Sequence, residues 1–344
     1  MLTQTPSSTA SAPPVKGKSE KADRRWRRIV GALLALAMAL TMSYAAVGVY
    51  VATQVEVMPR MPLTTTPASF GLQYKDVTFP SRGDGLQLKS WFIPGVLPNG
   101  QLTSQRTIIV LHGNVTNRAD PGPGILRFSS EMAHRGFAIL AFDFRGAGES
   151  ADAPRSIGYL EQHDVLGAVD YLRSGTLPYP ELGRPHAIAG WGLSMGGAAL
   201  ILAASQEPAI QAIVSDCAFA DVLPILEREI PKGGHLPAAF TPGGLVAYRA
   251  LYGVNFYNDR PVDVIASIAP RPILLIHGSL DEYTAPSNMA ALAAAARSAP
   301  NANVQTWLVS GAKHARSYNV EGKVYVDRLV AFYTAALGPD TSGS

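Results

Sequence analysis

The chain has 344 residues, 47% hydrophobic and 16% charged, enough apolar material for one large core with accessory segments. The formal net charge of +3 is a local property: residues 1–28 hold seven Lys/Arg against Glu20 and Asp23, so the remainder is slightly acidic, without the basic, aromatic-interleaved surface of a nucleic-acid binder. The single cysteine, Cys217, excludes an internal disulfide and the paired-cysteine zinc patterns, and its place after an apolar run reads as a small buried hydrophobe.

Residues 1–28, rich in Ser, Thr, Pro and Lys, read as a disordered basic tail. The cluster Arg24-Arg25-Trp26-Arg27-Arg28 then precedes an uncharged run over 29–52. At about 1.5 Å per residue that run can cross a hydrocarbon core of about 30 Å, so a transmembrane helix is expected there. A cleaved signal would carry a shorter apolar core, roughly 7–15 residues, before its cleavage site. The best candidate site here, Ser43-Tyr44-Ala45, lies inside the run, which favours an uncleaved anchor. The arginine flank keeps the tail in the cytoplasm and puts the body outside. A twin-arginine export signal is the lesser reading, since the surrounding residues fit it poorly. Residues 53–71, with Met58-Pro59 and Thr64-Thr65-Thr66-Pro67, read as a linker, residues 72–338 as the folded body and 339–344 as a tail.

In the body, Tyr74–Phe79 and Leu86–Ile93 predict an antiparallel pair about the turn Arg82-Gly83-Asp84-Gly85. Thr107–Leu111 predicts a strand buried on both faces. A helix over Leu126–Arg135 leads to a strand at Ala138–Phe142, and a helix over Tyr159–Arg173 to the strand His186–Trp191. Beyond come strands at Ile210–Val214 and Ile273–Ile276, a helix at Ser287–Arg297, a strand at Val304–Val309 and a last helix over Gly322–Ala336. This alternation predicts an α/β fold with a mostly parallel sheet flanked by helices, whose ligands bind beyond the carboxyl ends of the strands. Residues 222–263 interrupt it: a helix at Val222–Glu229, then irregular apolar sequence punctuated by Pro231, Gly233-Gly234, Pro237 and Pro242-Gly243-Gly244, read as a short cap or lid.

Gly192-Leu193-Ser194-Met195-Gly196 stands between the strand ending at Trp191 and the apolar helix of Leu200–Ala204. A G-x-S-x-G pentapeptide alone is a weak sign, but between strand and helix it describes a sharp turn that projects a serine hydroxyl out of the sheet. Glycines on either side let strand and helix approach.

The chain here resembles the α/β-hydrolase superfamily. The likeness rests on segments at predicted strand ends: His112-Gly113-Asn114, Asp143-Phe144-Arg145-Gly146-Ala147-Gly148-Glu149-Ser150, the serine turn, His277-Gly278-Ser279-Leu280-Asp281 and Lys313-His314-Ala315. Asp216-Cys217-Ala218-Phe219, the short insertion and Ser317-Tyr318 after His314 are similar to anchored or exported bacterial esterase-like and serine-peptidase-like members. The resemblance implies the chain order Ser, Asp, His, with Ser194 as nucleophile, His314 as general base and Asp281 as the acid that orients it. The family places a proline four residues after the acid, whereas Pro286 is five after Asp281 and four after Glu282. Glu282 therefore stays open as the acid, as does Asp216 at the preceding strand end. The oxyanion hole is expected at the N–H groups of Met195 and Asn114, with Val115 as the alternative to Asn114. His112 and His277 read as loop anchors, Asp143 and Arg145 as shaping a tight loop. His134, His163, His186 and His235 read as surface or local hydrogen-bond partners.

The expectation is a membrane-anchored serine hydrolase, extracytoplasmic on a bacterial cell membrane, acting on a small-molecule or lipid-like acyl substrate through an acyl-enzyme on Ser194. An apolar insertion poor in charge favours esters. A peptidase of the proline-imino or acyl-peptidase kind is the alternative; it would need a carboxylate cluster for a free amino terminus, which only Glu227 and Glu229 could begin. A catalytically silent binding module of the same fold is the rival from another class. No cofactor and no metal are expected, since phosphate-loop, dinucleotide and His-Glu-x-x-His patterns are absent.

Overall fold

The uncharged run behind the arginine cluster forms part of one long helix, α1 (Lys18–Glu56), in the computed structural model, which describes residues 18–56, 59–258 and 260–340. Parts of the basic tail, the linker and the tail at 339–344 lie outside the described residues. The chain divides into two units, Met1–Val47 and Gly48–Ser344. In the first, Trp26, Leu34 and Met38 stand exposed along α1. The stretch Lys21–Gln54, with a window of mean hydropathy 2.0, is long and apolar enough to cross a membrane.

The second unit is built on strands whose composition dictates their cover. β1 (Lys75–Pro80) and β2 (Gln87–Ile93) pair antiparallel. Their turn needs positive φ at Gly83 and Gly85 (99° and 72°), which costs glycine little. β3 (Gly95–Val96) and β4 (Leu102–Thr103) form a separate ribbon too short to announce itself in sequence. β5 (Arg106–Leu111), β6 (Ala138–Phe142), β7 (Ala187–Leu193), β8 (Ile210–Asp216), β9 (Ile273–Gly278) and β10 (Val304–Val309) run parallel. The eight-stranded sheet has the order β1-β2-β6-β5-β7-β8-β9-β10. Every residue of β5, β6, β7 and β9 is buried, as unalternating apolar strands require.

The helices cover both faces: α2 (Ile125–Ala133), α3 (Glu161–Ser174), α4 (Met195–Gln206), α5 (Leu223–Gly234), α6 (Thr241–Tyr252), α7 (Pro261–Val264), α8 (Ser287–Arg297), α9 (Ser317–Glu321) and α10 (Lys323–Leu337). Ile109, Leu111, Leu140, Phe142 and Leu275 share one core with α3, α4, α8 and the insertion. Ile108, Val110, Ile139, Ala141 and Leu274, their neighbours one residue away, share the other with α2 and α10. α4 is buried all round, so it carries no polar stripe. Burial of Leu200, Ile201 and Leu202 is worth roughly 1.5–3 kcal/mol each.

Two expectations need correction. Residues 18–28, expected as part of a disordered tail, are helical and continuous with the apolar run in α1. The insertion after α5 is not irregular throughout: α6 is helical across Pro242-Gly243-Gly244. Pro242 falls in the first turn, where its missing N–H is not required. The glycines admit a neighbour: a Cβ on Gly244 would lie 2.3 Å from Val51 Cγ1, and one on Gly48 would lie 2.8 Å from the Gly243 carbonyl. The last helix falls where expected, within one residue at each end, and the short α9 precedes it, the two being broken at Gly322 (φ 51°).

Candidate active site

The carboxyl ends of the six parallel strands converge on one edge of the sheet, and the sequence sets its chemistry-bearing residues there. Ser194 follows β7 in a strained conformation (φ 54°, ψ −117°) that turns strand into helix. Such a backbone costs roughly 1–3 kcal/mol and survives only where surroundings enforce it. Here its N–H donates to the Asp216 carbonyl at 2.8 Å. Neither flanking glycine has room for a side chain: a Cβ on Gly192 would meet the Gly196 carbonyl at 2.4 Å, and one on Gly196 the His112 carbonyl at 2.6 Å.

His314, in the loop after β10, brings Nε2 to 3.0 Å from Ser194 Oγ and Nδ1 to 2.8 Å from Asp281 Oδ2. Asp281, not Glu282 or Asp216, therefore faces the imidazole. Asp281 is buried and Glu282 is exposed. The extra residue before Pro286 is taken up in a turn closed by the acid itself: Asp281 Oδ1 accepts the N–H groups of Tyr283 at 3.0 Å and Thr284 at 2.8 Å. The turn brings the Thr284 carbonyl to 2.6 Å from His277 Nε2, which also lies 3.2 Å from Asp281 Oδ2. His277 thus anchors the acid's loop. Burial pushes the Asp281 carboxyl up, but hydrogen bonds from His277 and His314, the charge of His314 and the Thr284 N–H outweigh it and bring it down to about 2.

Asp216 has a different task. Its Oδ1 accepts Ser317 Oγ and its Oδ2 accepts Tyr325 OH, both at 2.9 Å, and Tyr325 OH in turn accepts the Trp191 indole N–H at 2.9 Å. Burial raises its carboxyl pKa against the two hydroxyl bonds. This network ties the serine turn, the end of β8 and the start of α9 into one unit below the hydroxyl. The sequence marks Ser317 only by its likeness to relatives and does not mark Tyr325; their bonds to Asp216 exist because the fold sets them opposite it.

Met195 begins α4, where N–H groups have no intrahelical acceptor. Across from it, a Cβ on Gly113 would lie 3.8 Å from Ser194 Cβ, which puts the loop of Gly113 and Asn114 beside the hydroxyl. Asn114 is half-buried and its neighbour Val115 is exposed. His112 Nε2 accepts the Phe144 N–H at 3.0 Å while Nδ1 faces the Gly113 carbonyl at 2.6 Å, so the ring carries its proton on Nδ1. Burial lowers its pKa and keeps it neutral. Asp143 and Arg145 serve the loops, as expected. Asp143 pairs with Arg118 and accepts the Arg118 and Glu149 backbone N–H groups; Arg145 pairs with Asp164 and Asp84. A fully buried carboxylate demands a cation, and Arg118 supplies it from a loop that only the fold brings near.

Cys217, also at positive φ (50°), is buried, and its thiol pKa is raised well above the ordinary range by burial first, then by the charges of Asp216 and Asp281. With Asp281 and His314 it forms a group of ligand-type atoms within 4.8 Å of one another. A protonated thiol and two side chains already bonded to each other make a poor metal cage.

Residues 127–340, more than half of the chain, match the prolyl oligopeptidase family. The chain belongs to that family. It is 28% identical over 259 residues to the uncharacterised protein YfhR of Escherichia coli K12, covering 74% of this chain and 79% of that one. It is 25% identical over 228 residues to protein bem46 of Schizosaccharomyces pombe, with 66% and 67% covered. Among solved structures, the Pyrococcus furiosus esterase Pf2001 superposes with a TM-score of 0.65 at 25% identity, over 83% of this chain and 99% of that one. A puromycin-hydrolysing peptidase of Mycobacterium tuberculosis shares the fold, with a TM-score of 0.61 at 18% identity over 80% of this chain and 42% of that one. Family and fold together make the protein a serine hydrolase of the α/β-hydrolase fold.

Proposed function

We propose that the chain is a membrane-anchored serine esterase that works through an acyl-enzyme on Ser194. The unbroken hydrogen-bonded chain from Ser194 Oγ through His314 to Asp281 carries this reading. Ser194 Oγ attacks the ester carbonyl carbon while its proton passes to His314 Nε2. The carbonyl oxygen becomes an oxyanion facing the N–H groups of Met195 and Asn114. His314 then hands the proton to the departing alcohol. Water, deprotonated by His314, attacks the acyl-enzyme and releases the carboxylic acid, and Ser194 recovers its proton. Asp281, held ionised, keeps the imidazole in the right tautomer and offsets its positive charge.

Esters are favoured over peptides by the state of the insertion. Glu229 is engaged by Arg228 at 2.6 Å and lies 3.6 Å from Lys232, so its charge is spent before a substrate amine arrives. Exposed Val115 and Tyr283, the latter with its ring 5.0 Å from His314, give the approach an apolar lining. The family match supports a peptidase as the competing reading. Turnover of a p-nitrophenyl ester series against aminoacyl and prolyl p-nitroanilides separates them; faster anilide cleavage overturns the ester reading. Fluorophosphonate labelling should be complete for wild type and lost in Ser194→Ala, and labelling that survives removes Ser194 as nucleophile.

The anchor is supported by the length and apolarity of α1 and by the arginine cluster before it, which orients the body outward. A reporter fused after Ser344 should be active only if it is one that folds outside the cytoplasm. Activity of a cytoplasm-only reporter would reverse the topology.

A further inference from the structure

Arg155 is buried, with 3% of its surface exposed, yet among the described residues it has no carboxylate within ion-pair distance. Its guanidinium is spent on backbone carbonyls. Nε donates to the Gly146 carbonyl at 3.1 Å, Nη1 donates to the Asn114 carbonyl at 3.2 Å, and Nη2 also donates to the Gly146 carbonyl. The charge of buried Glu161 reaches it only from beyond contact distance. A cation taken out of water without a bonded counter-charge is expensive, and cheaper side chains could brace a loop. Its position suggests what the charge is for. His112 Nδ1–H grips the Gly113 carbonyl, which belongs to the peptide whose N–H is that of Asn114. Arg155 grips the next carbonyl, which belongs to the peptide whose N–H is that of Val115. The two side chains therefore fix the two amides of this loop that could face an oxyanion beside the Met195 N–H, one with a neutral donor and the other with a full positive charge. Arg155 is itself held from the cap: Tyr248 of α6, fully buried, donates its hydroxyl to the Arg155 carbonyl.

We propose that Arg155 is a positioning residue that orients the oxyanion loop and adds positive potential behind it, and that Tyr248 couples this loop to the cap. The inference rests on the acyl-enzyme reading above. A group that acts when negative charge develops lowers kcat when lost and leaves substrate binding alone.

The test is steady-state hydrolysis of p-nitrophenyl butyrate by Arg155→Gln, Arg155→Lys and Tyr248→Phe. Alongside it, inhibition by a trifluoromethyl ketone, whose adduct with Ser194 carries the oxyanion, is measured. Arg155→Gln should lower kcat by about ten- to a hundredfold, less than loss of an oxyanion donor itself. It should raise the inhibitor's Ki by a similar factor, with KM nearly unchanged. Arg155→Lys should regain most of the loss. Tyr248→Phe should show the same pattern at about three- to tenfold, and it decides the matter if the Arg155 variants do not fold. Wild-type kcat in Arg155→Gln or in Tyr248→Phe, a loss confined to KM, or a lysine variant no better than glutamine would overturn the proposal. Ser194→Ala, run in parallel, isolates the other failure: if it still turns over the ester, the acyl-enzyme reading falls first.

Discussion

Asp281 shows how much one carboxylate can be asked to do. Oδ1 takes two backbone N–H groups and Oδ2 takes His314, so all its neighbours are donors. In Asp281→Asn the amide NH₂ must face either the two backbone donors or the imidazole N–H. One choice breaks the turn; the other forces the wrong tautomer. Turnover of a short-chain ester should fall about 10⁴-fold, the loss the corresponding change brings in a serine protease, whereas Glu282→Gln, exposed and screened, should stay within about twofold. The same carboxyl gives a pH signature. Folded, it titrates near 2, below its ordinary 3.8, so the stability it contributes is complete above about pH 4 and is lost as pH falls toward 2. Melting temperatures recorded from pH 6 to pH 2 should drop less steeply in that window for Asp281→Asn than for wild type. Asp216, whose raised pKa works in the opposite sense, is common to both and cancels from the comparison.

The elements that hold these residues are tight and strained at defined places. Ala315, directly after His314, has φ 57°, a conformation that costs an L-residue about 1–2 kcal/mol and glycine little. Ala315→Gly should raise the melting temperature by about 2 °C once glycine's greater chain entropy is subtracted, a shift calorimetry resolves. Gly196→Ala should fail, since its Cβ would press on the carbonyls of both Leu111 and His112, at 2.7 and 2.6 Å. The expected result is loss of soluble protein or of at least about 10²-fold in kcat. These elements differ in how plainly the sequence announces them. The strand at Ala138–Phe142, the helix at Ser287–Arg297 and the strand at Val304–Val309 are legible to the residue because turn-forming residues bound them: Asp143 after the first, Pro286 and Ser298 about the second, Asn303 and Ser310 about the third. α6 is not, because Pro-Gly-Gly reads as a break until a neighbour makes close packing worthwhile. The serine turn is legible because strand, glycines and helix agree. The choice between Asp281 and Glu282 is not, since it depends on how a turn absorbs one residue. Arg118, Arg155 and the partners of Asp216 are visible only when distant loops meet.

At the scale of the molecule, the unit from Gly48 onward contains the whole sheet, both cores and the site. A chain lacking residues 1–47 should therefore keep its kcat on a water-soluble ester while leaving the membrane fraction, and a full-length chain that also stays out of that fraction would refute the anchor. The two cores also divide the protein optically. It has four tryptophans. Trp26 stands on α1, Trp91 and Trp191 are buried on the α2 and α10 side of the sheet, and Trp307 packs against the same cluster. The opposite side, with α3, α4 and the insertion, has none. Tryptophan emission is thus a window on one face only, silent to a state in which the insertion and the helices beside it have come away. If emission and far-ultraviolet dichroism trace the same denaturation curve, the two faces melt together; if dichroism falls first, the dark face is the one that opens.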